Sequence, residues 1–185
     1  MTAKHYRLAA ASAIAGGVAW AVSGPLQLAG VNEHETQVVT LGEHVLIGLF
    51  SLALVLTAPG LLALARHAKS DTGAKVAAAG MVLLALTALS SNITGEDQSF
   101  FPVAASLANL LWLGGSIHLA VSLYKAGRVP RWVAIALPLT QVFALPLSVV
   151  GGGLGAGGYW LAVGYLMQQG ALERPTAVQA APAAA

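Results

Sequence analysis

The chain has 185 residues, of which 57% are hydrophobic and only 9% are charged. A soluble domain carries about 25% charged residues, so this composition cannot cover a water-exposed surface. There is no cysteine, which excludes disulfides, thiolate metal sites and cysteine nucleophiles. The small net charge of +2 comes from loop cations and gives no support to nucleic-acid binding.

The hydropathy pattern divides the chain into six apolar segments, at residues 8–29, 42–65, 76–93, 102–124, 132–150 and 154–169. Each is close to the roughly 20 apolar residues that a membrane-spanning helix needs, and the sixth is the shortest. Backbone groups in hydrocarbon must be bonded internally, so helices are expected. The sequence therefore predicts an all-α membrane protein. Residues 1–170 form one bundle of six transmembrane helices, and an Ala-rich tail at 171–185 is disordered.

The Lys and Arg residues predict the orientation of this bundle. All nine lie before the first segment, in the second-to-third and fourth-to-fifth connections, or after the sixth segment. Cationic loops resist translocation, so both termini are predicted in the cytoplasm and the protein in the cell membrane. The other connections are then external, and they carry Glu33, Glu35, Glu96 and Asp97.

Prolines and glycines predict the shape and packing of the helices. Pro25, Pro59, Pro138 and Pro146 interrupt predicted helices, either as local shaping or as kinks that open a cavity. Small residues let membrane helices approach closely. The pair Gly114-Gly115 is the strongest candidate for a close helix crossing, beside a similar pair at Gly16-Gly17.

Uncharged polar side chains fall in the predicted outer half of the membrane. Asn109 and Gln141 are expected to line one cavity together with Glu43 and Asn92, because polar groups are costly in hydrocarbon. Asn109, Trp112 and Ser116 share one face of the fourth helix, which predicts that this face points into the bundle.

Glu43 is the first candidate for an acid at this cavity. A carboxyl group in an apolar environment is kept protonated and can donate a proton. The alternative is that Glu43 caps the start of its helix, where a negative charge suits the dipole. Glu96 and Asp97 are candidates for a second acid or base, with a solvated loop as the alternative.

The five histidines do not predict a metal or haem site, because they are split between the two sides and share no metal-binding spacing. His67 is expected in an exposed loop. The one alternative is a divalent ion held outside by His34, Glu35, Glu43 and His44. No cofactor motif is present, and no cofactor is predicted.

Three runs carry a resemblance, namely residues 61–66 (LLALAR), 80–84 (GMVLL) and 124–132 (YKAGRVPRW). They resemble small multi-pass membrane proteins of actinobacteria, and the Ala-rich tail suits such a source. In size, helix count and isolated carboxylates the chain also resembles the integral-membrane terpene cyclases of indole-diterpenoid and meroterpenoid pathways.

The second resemblance implies an enzyme of secondary metabolism that protonates an epoxide or alkene of a lipophilic prenylated substrate. Glu43 would then be the acid, with Glu96 or Asp97 as its partner. Aromatic faces would stabilise the cations, and polar groups would orient the substrate; the candidates are Trp20, Asn92, Phe101, Asn109, Trp112, Gln141 and Phe143. The alternative function is non-enzymatic, as a transporter subunit, an accessory factor or a lipid-binding protein. Nothing in the sequence determines an oligomeric state.

Overall fold

The computed structural model describes residues 2–31 and 37–173, and the fold is all-α as predicted. Four long helices come first: α1 (Ala3–Leu28), α2 (Leu41–Leu64), α3 (Thr72–Thr94) and α4 (Phe101–Ala126). Three shorter helices follow: α5 (Arg131–Ala136), α6 (Leu139–Ala144) and α7 (Gly153–Gln168). Single 3-10 turns occur at Ala65–His67, Ser148–Val150 and Ala171–Glu173. No strand is formed in these ranges.

Four of these helices are long and apolar enough to cross a bilayer: α1, α2 with its 3-10 extension, α3 and α4. Their outward surface is unusually apolar, since Val103 is 74% exposed and Leu110 is 70% exposed on α4 alone. Contiguous exposed apolar surface marks contact with lipid or a partner. The interior is closed by large side chains, because Trp20, Trp112 and Trp160 are each almost completely buried.

Neighbouring helices run antiparallel and pack through glycines. A Cβ atom at Gly17 of α1 would lie 2.8 Å from the Leu161 nitrogen of α7, and one at Gly24 would lie 2.9 Å from the Leu154 nitrogen. Likewise α3 crosses α4 where a Cβ at Gly80 would lie 2.6 Å from the Ala108 carbonyl oxygen. The absence of side chains at these points lets the backbones approach, as expected for membrane helices.

The bundle therefore has two chemically different ends. The Lys and Arg residues within the described ranges all lie at what we call the basic end, where α1 and α3 begin and α2 and α4 terminate. The opposite end, where α1 and α3 terminate and α2 and α4 begin, contains the cavity described below, and we call it the cavity end.

The predicted fifth segment, residues 132–150, is not one continuous helix. It is divided into α5, α6 and the 3-10 turn at Ser148–Val150, with breaks at Pro138 and Pro146. Proline lacks the N–H that continues a helix, and its ring clashes with the preceding turn. The divided segment still runs the length of the bundle, from Arg131 at the basic end to Gly151, which packs against Leu28 at the cavity end.

Helical structure continues slightly past residue 170, the boundary predicted for the helical domain. Leu172 lies in the last 3-10 turn and is 1% exposed, as part of the apolar core. The rest of the predicted tail, from residue 174, lies outside the described residues. The same is true of Glu33, His34 and Glu35, between α1 and α2.

Candidate functional site

A cavity of about 410 Å³ opens among α1, α2, α3, α4 and the divided segment. Its volume is within the range of small-molecule sites, roughly 300–1,000 Å³. The described residues that line it are mostly apolar, and none is charged: Gln27, Leu46, Ile47, Phe50, Leu84, Ala88, Phe101, Ala105, Asn109, Ala144, Leu145, Ser148 and Val149. The site is therefore a largely hydrocarbon space with a few neutral polar groups.

Helix α4 supplies one continuous wall of the cavity. Phe101, Ala105 and Asn109 line it at a spacing of four residues, which places them one above another on the same helix face. Asn109 lies about 12 Å along the helix from Phe101, at 1.5 Å per residue. The same face continues to Trp112 and Ser116, which are 2% and 0% exposed, so the prediction that this face points into the bundle is confirmed.

The opposite wall is held in place by an aromatic pair. Phe50 of α2 lines the cavity and meets Trp20 of α1 edge to face, with ring centroids 5.4 Å apart. Edge-to-face pairs of this kind contribute about 0.5–1.5 kcal/mol beyond their buried area. Trp20 was predicted to contact substrate, but its ring lies behind Phe50 and is 1% exposed.

The divided segment forms the remaining wall, on both sides of the interruption at Pro146. Ala144 ends α6, Leu145 lies in the turn at Pro146, and Ser148 and Val149 belong to the following 3-10 turn. The lining residues of this segment therefore flank a proline break rather than lie within one continuous helix.

Asn109 and Gln27 line the cavity, and hydrogen bonds determine which way the side-chain amide of each is oriented. Gln141 Nε2 donates to the backbone oxygen of Asn109 at 3.1 Å and to Asn109 Oδ1 at 2.9 Å. A backbone carbonyl only accepts, which fixes the Gln141 amide and, through it, Oδ1 of Asn109. On α1, the Gly153 N–H donates to Gln27 Oε1 at 3.3 Å, which fixes the Gln27 amide in the same way.

These orientations leave the NH2 groups of Asn109 and Gln27, two residues that line the cavity, as hydrogen-bond donors. Among the described residues neither NH2 group has an acceptor. Gln141 has the opposite situation, since its Oε1 is buried without a donor in the described part of the chain. Two residues of the apolar lining thus carry neutral amide donors that have no acceptor among the described residues.

Glu43 is a helix cap in this structure. Its Oε2 accepts the backbone N–H groups of Val39 at 2.7 Å and Thr40 at 2.6 Å, while Thr40 Oγ1 accepts the Glu43 N–H at 3.2 Å. This reciprocal arrangement is a capping box. The capping role considered for Glu43 is therefore confirmed. Its side chain is 1% exposed and lies one helical turn before Ile47, outside the described cavity lining.

The other two predicted acids belong to a loop that pairs with its neighbour. The Val38 N–H donates to the Gly95 carbonyl at 2.9 Å, and Gln37 forms an isolated antiparallel bridge with Glu96. Glu96 is exposed and Asp97 is half-buried. Neither carboxylate is part of the described cavity lining, so the described contacts of this loop are with Gln37 and Val38 rather than with the cavity.

The remaining predicted binding residues divide into those near the cavity and those elsewhere. Asn92 Oδ1 lies 2.7 Å from His44 Nδ1, and this hydrogen bond links α3 to α2. Trp112 is 2% exposed and its backbone nitrogen lies against Gly80 of α3, and the Phe143 ring covers Gly155 of α7. Phe101 and Asn109 therefore line the cavity and Gln141 supports it, whereas Asn92, Trp112 and Phe143 have packing roles.

The cavity also uses residues that the sequence did not mark as site residues. Gln27 and Phe50 are the most important, because one supplies an N–H donor and the other an aromatic face. Gln27 is a polar residue late in an apolar helix, so the sequence carries a signal for it. Phe50 gave no signal, since an apolar side chain in an apolar helix is the rule.

The prediction that His67 lies in an exposed loop was wrong. This residue is 8% exposed, and its Nε2 lies 3.4 Å from the Tyr6 hydroxyl. The Arg66 guanidinium lies over the Tyr6 ring, 4.8 Å from its centroid, so the three side chains tie α1 to the end of α2. The described residues contain no group of three His, Asp or Glu side chains that would suit a metal ion.

Comparison with known proteins gave no match: no family profile, curated protein or solved structure is significantly similar to this chain. Function is therefore inferred from the cavity.

Proposed function

We propose that this chain is a six-crossing cell-membrane protein that binds a neutral lipophilic small molecule in the cavity between its helices. The crossings are α1 to α4, the divided segment and α7, and both termini are cytoplasmic. The concentration of Lys and Arg at the basic end supports this orientation. The cavity then faces the outer half of the membrane.

The chemistry of the lining supports a neutral ligand with a hydrogen-bond acceptor. A buried ionic ligand needs a counter-charge, yet no described lining residue is charged. The NH2 groups of Asn109 and Gln27 require acceptors such as a ketone, quinone or ester oxygen. The apolar side chains around them suit a hydrocarbon or isoprenoid tail. The observation on which the proposal depends is this pairing of an uncharged lining with two free amide donors.

The test is equilibrium binding of a long-chain isoprenoid ketone to the purified protein in detergent, compared with the hydrocarbon of the same skeleton. The unaltered chain is expected to prefer the ketone. Ala105→Phe fills the cavity and should abolish binding of both ligands. Val103→Phe adds the same ring on the same helix at a 74% exposed position, and it should bind normally.

Two results would overturn the binding function. One is equal affinity for the ketone in Ala105→Phe and Val103→Phe while both variants stay folded. The other is a lack of saturable binding by any neutral lipid.

Terpenoid cyclisation is the second candidate, and one observation favours it. Phe50 and Phe101 line the same cavity, and aromatic faces stabilise carbocations. Cyclisation also needs a proton donor that reaches the substrate. The nearest candidate is Glu43, one turn away on α2, and its Oε2 is occupied by the helix cap. The binding function needs no such rearrangement and is therefore preferred.

A further inference from the structure

A second site lies at the other end of the molecule, between α4 and α5. A groove of about 200 Å³ is lined by Ala120, Val121, Tyr124, Lys125, Ala134 and Ile135. Apart from the Lys125 ammonium and the Tyr124 hydroxyl its side chains are hydrocarbon. Val121 and Ile135 are 45% and 58% exposed, so the groove is accessible from the side of the bundle.

Three cations lie on the elements that form this groove or in the turn between them. Lys125 lines it, Arg128 lies in the turn that joins α4 to α5, and Arg131 begins α5. The Arg131 guanidinium lies 5.9 Å from the centroid of the Tyr124 ring, which places it beside a lining residue. All three side chains are exposed, and among the described residues none has a carboxylate partner within ion-pair distance.

The basic connection between α2 and α3 differs, because one of its cations is paired with a carboxylate. There Lys75 forms an ion pair with Asp71 at 2.8 Å. The hydrogen bond from Lys75 holds the pKa of Asp71 below its ordinary value. The cations around the groove thus lack the internal carboxylate partner that Lys75 has, and they lie next to apolar surface.

We propose that this groove binds an anionic phospholipid, with an acyl chain against Val121 and Ile135 and the phosphate among Lys125, Arg128 and Arg131. Arg and Lys side chains are the usual partners of phosphate, and basic sites between membrane helices bind anionic headgroups. On the topology proposed above, the lipid comes from the cytoplasmic leaflet. The site is separate from the cavity and does not depend on the cavity's ligand.

The experiment titrates phosphatidylglycerol or phosphatidylethanolamine with identical acyl chains into the detergent-solubilised full chain, and native mass spectrometry counts bound lipid. The unaltered protein should retain phosphatidylglycerol preferentially. The double variant Lys125→Gln/Arg128→Gln should bind it about 25-fold more weakly, at about fivefold per cation near an anionic lipid. Lys69→Gln/Lys75→Gln removes the same charge from the same end and should change little.

A third variant separates a built site from general attraction to charge. Val121→Trp fills the groove at an exposed position without altering any cation, and it should also weaken phosphatidylglycerol retention. Thermal unfolding of each variant checks that it is folded. Equal losses in the two double variants, or full retention in Val121→Trp, would overturn the proposal.

Discussion

At the scale of single residues, Glu43 separates the two candidate functions. Its Oε2 accepts the backbone N–H groups of a helix cap, and Gln at this position of a capping box can still accept the same N–H groups. We therefore expect Glu43→Gln to keep this cap and to bind the isoprenoid ketone normally. Thr40→Ala removes the reciprocal half of the cap and should cost about 1 kcal/mol.

Thermal unfolding in detergent and the ketone titration measure both effects. A cyclase would give a different pattern. The unaltered chain would convert an epoxyprenyl substrate, and Glu43→Gln would lose turnover at unchanged stability, because Gln cannot deliver a proton. That outcome would identify Glu43 as the catalytic acid. It would also show that the protein does more than bind a ligand.

Asn109 tests which atom recognises the ligand. Asn109→Leu removes the NH2 donor while keeping a similar volume, and Gln141 keeps its bond to the backbone oxygen of residue 109. One lost neutral hydrogen bond should weaken ketone binding roughly three- to tenfold. The hydrocarbon of the same skeleton has no acceptor and should bind the variant at least as well. A parallel loss for both ligands would mean that Asn109 shapes the cavity rather than recognising an acceptor.

The sequence revealed part of this site for a physical reason. Asn109 and Gln141 were recognisable because an uncharged amide in an apolar helix is costly unless it has a partner. The sequence predicted that both would line one cavity, and in the structure they bond to each other across 32 positions. Asn92 is also an amide in an apolar helix, but its hydrogen-bond partner is His44. The cost of burying an amide therefore predicts that the residue has a partner, but not which residue the partner is.

At the scale of helices, Gly114 and Gly115 make a matched pair. A Cβ at Gly115 would lie 2.7 Å from the Gly73 carbonyl oxygen of α3 and still closer to the Ala77 nitrogen, whereas a Cβ at Gly114 would meet nothing within 4 Å. Backbone atoms cannot move aside as side chains do. Gly115→Ala should therefore destabilise the bundle by roughly 1–3 kcal/mol. Gly114→Ala should be neutral or stabilising by up to about 1 kcal/mol.

Unfolding of the two variants side by side measures the difference. Equal stability would mean that α3 and α4 are not as close as the structure places them. The sequence predicted a close crossing at this pair of glycines, and only the packing of α4 against α3 decides that Gly115 faces the neighbour.

The long helices were predictable because apolar length and cationic connections define them directly. The observed limits of α1 to α4 lie within five residues of the predicted segments. The fifth segment was harder, because the effect of a proline depends on its surroundings. Pro25 and Pro59 remain inside α1 and α2, whereas Pro138 and Pro146 divide their segment. Composition alone does not distinguish these cases.

At the scale of the whole molecule, the two proposed sites lie at opposite ends and have opposite chemistry. The cavity end offers neutral donors inside an apolar space, and the basic end offers uncompensated cations beside a lateral groove. A neutral lipid and an anionic lipid would thus be bound from different depths of the bilayer. This division requires that the cavity end and the basic end face different sides of the membrane.

Single-cysteine labelling tests that requirement, because the chain has no native cysteine to remove. Ser99→Cys lies in the exposed loop at the cavity end, and Thr72→Cys lies at the exposed start of α3 at the basic end. In intact cells a membrane-impermeant maleimide should label Ser99→Cys at once and Thr72→Cys only after permeabilisation. Gln169→Cys, after α7, should behave like Thr72→Cys if the divided segment and α7 both cross. Labelling of Gln169→Cys in intact cells, with Thr72→Cys protected, would reduce the crossings to an odd number. The reverse pattern for Ser99→Cys and Thr72→Cys would invert the whole protein and put the cavity on the cytoplasmic side.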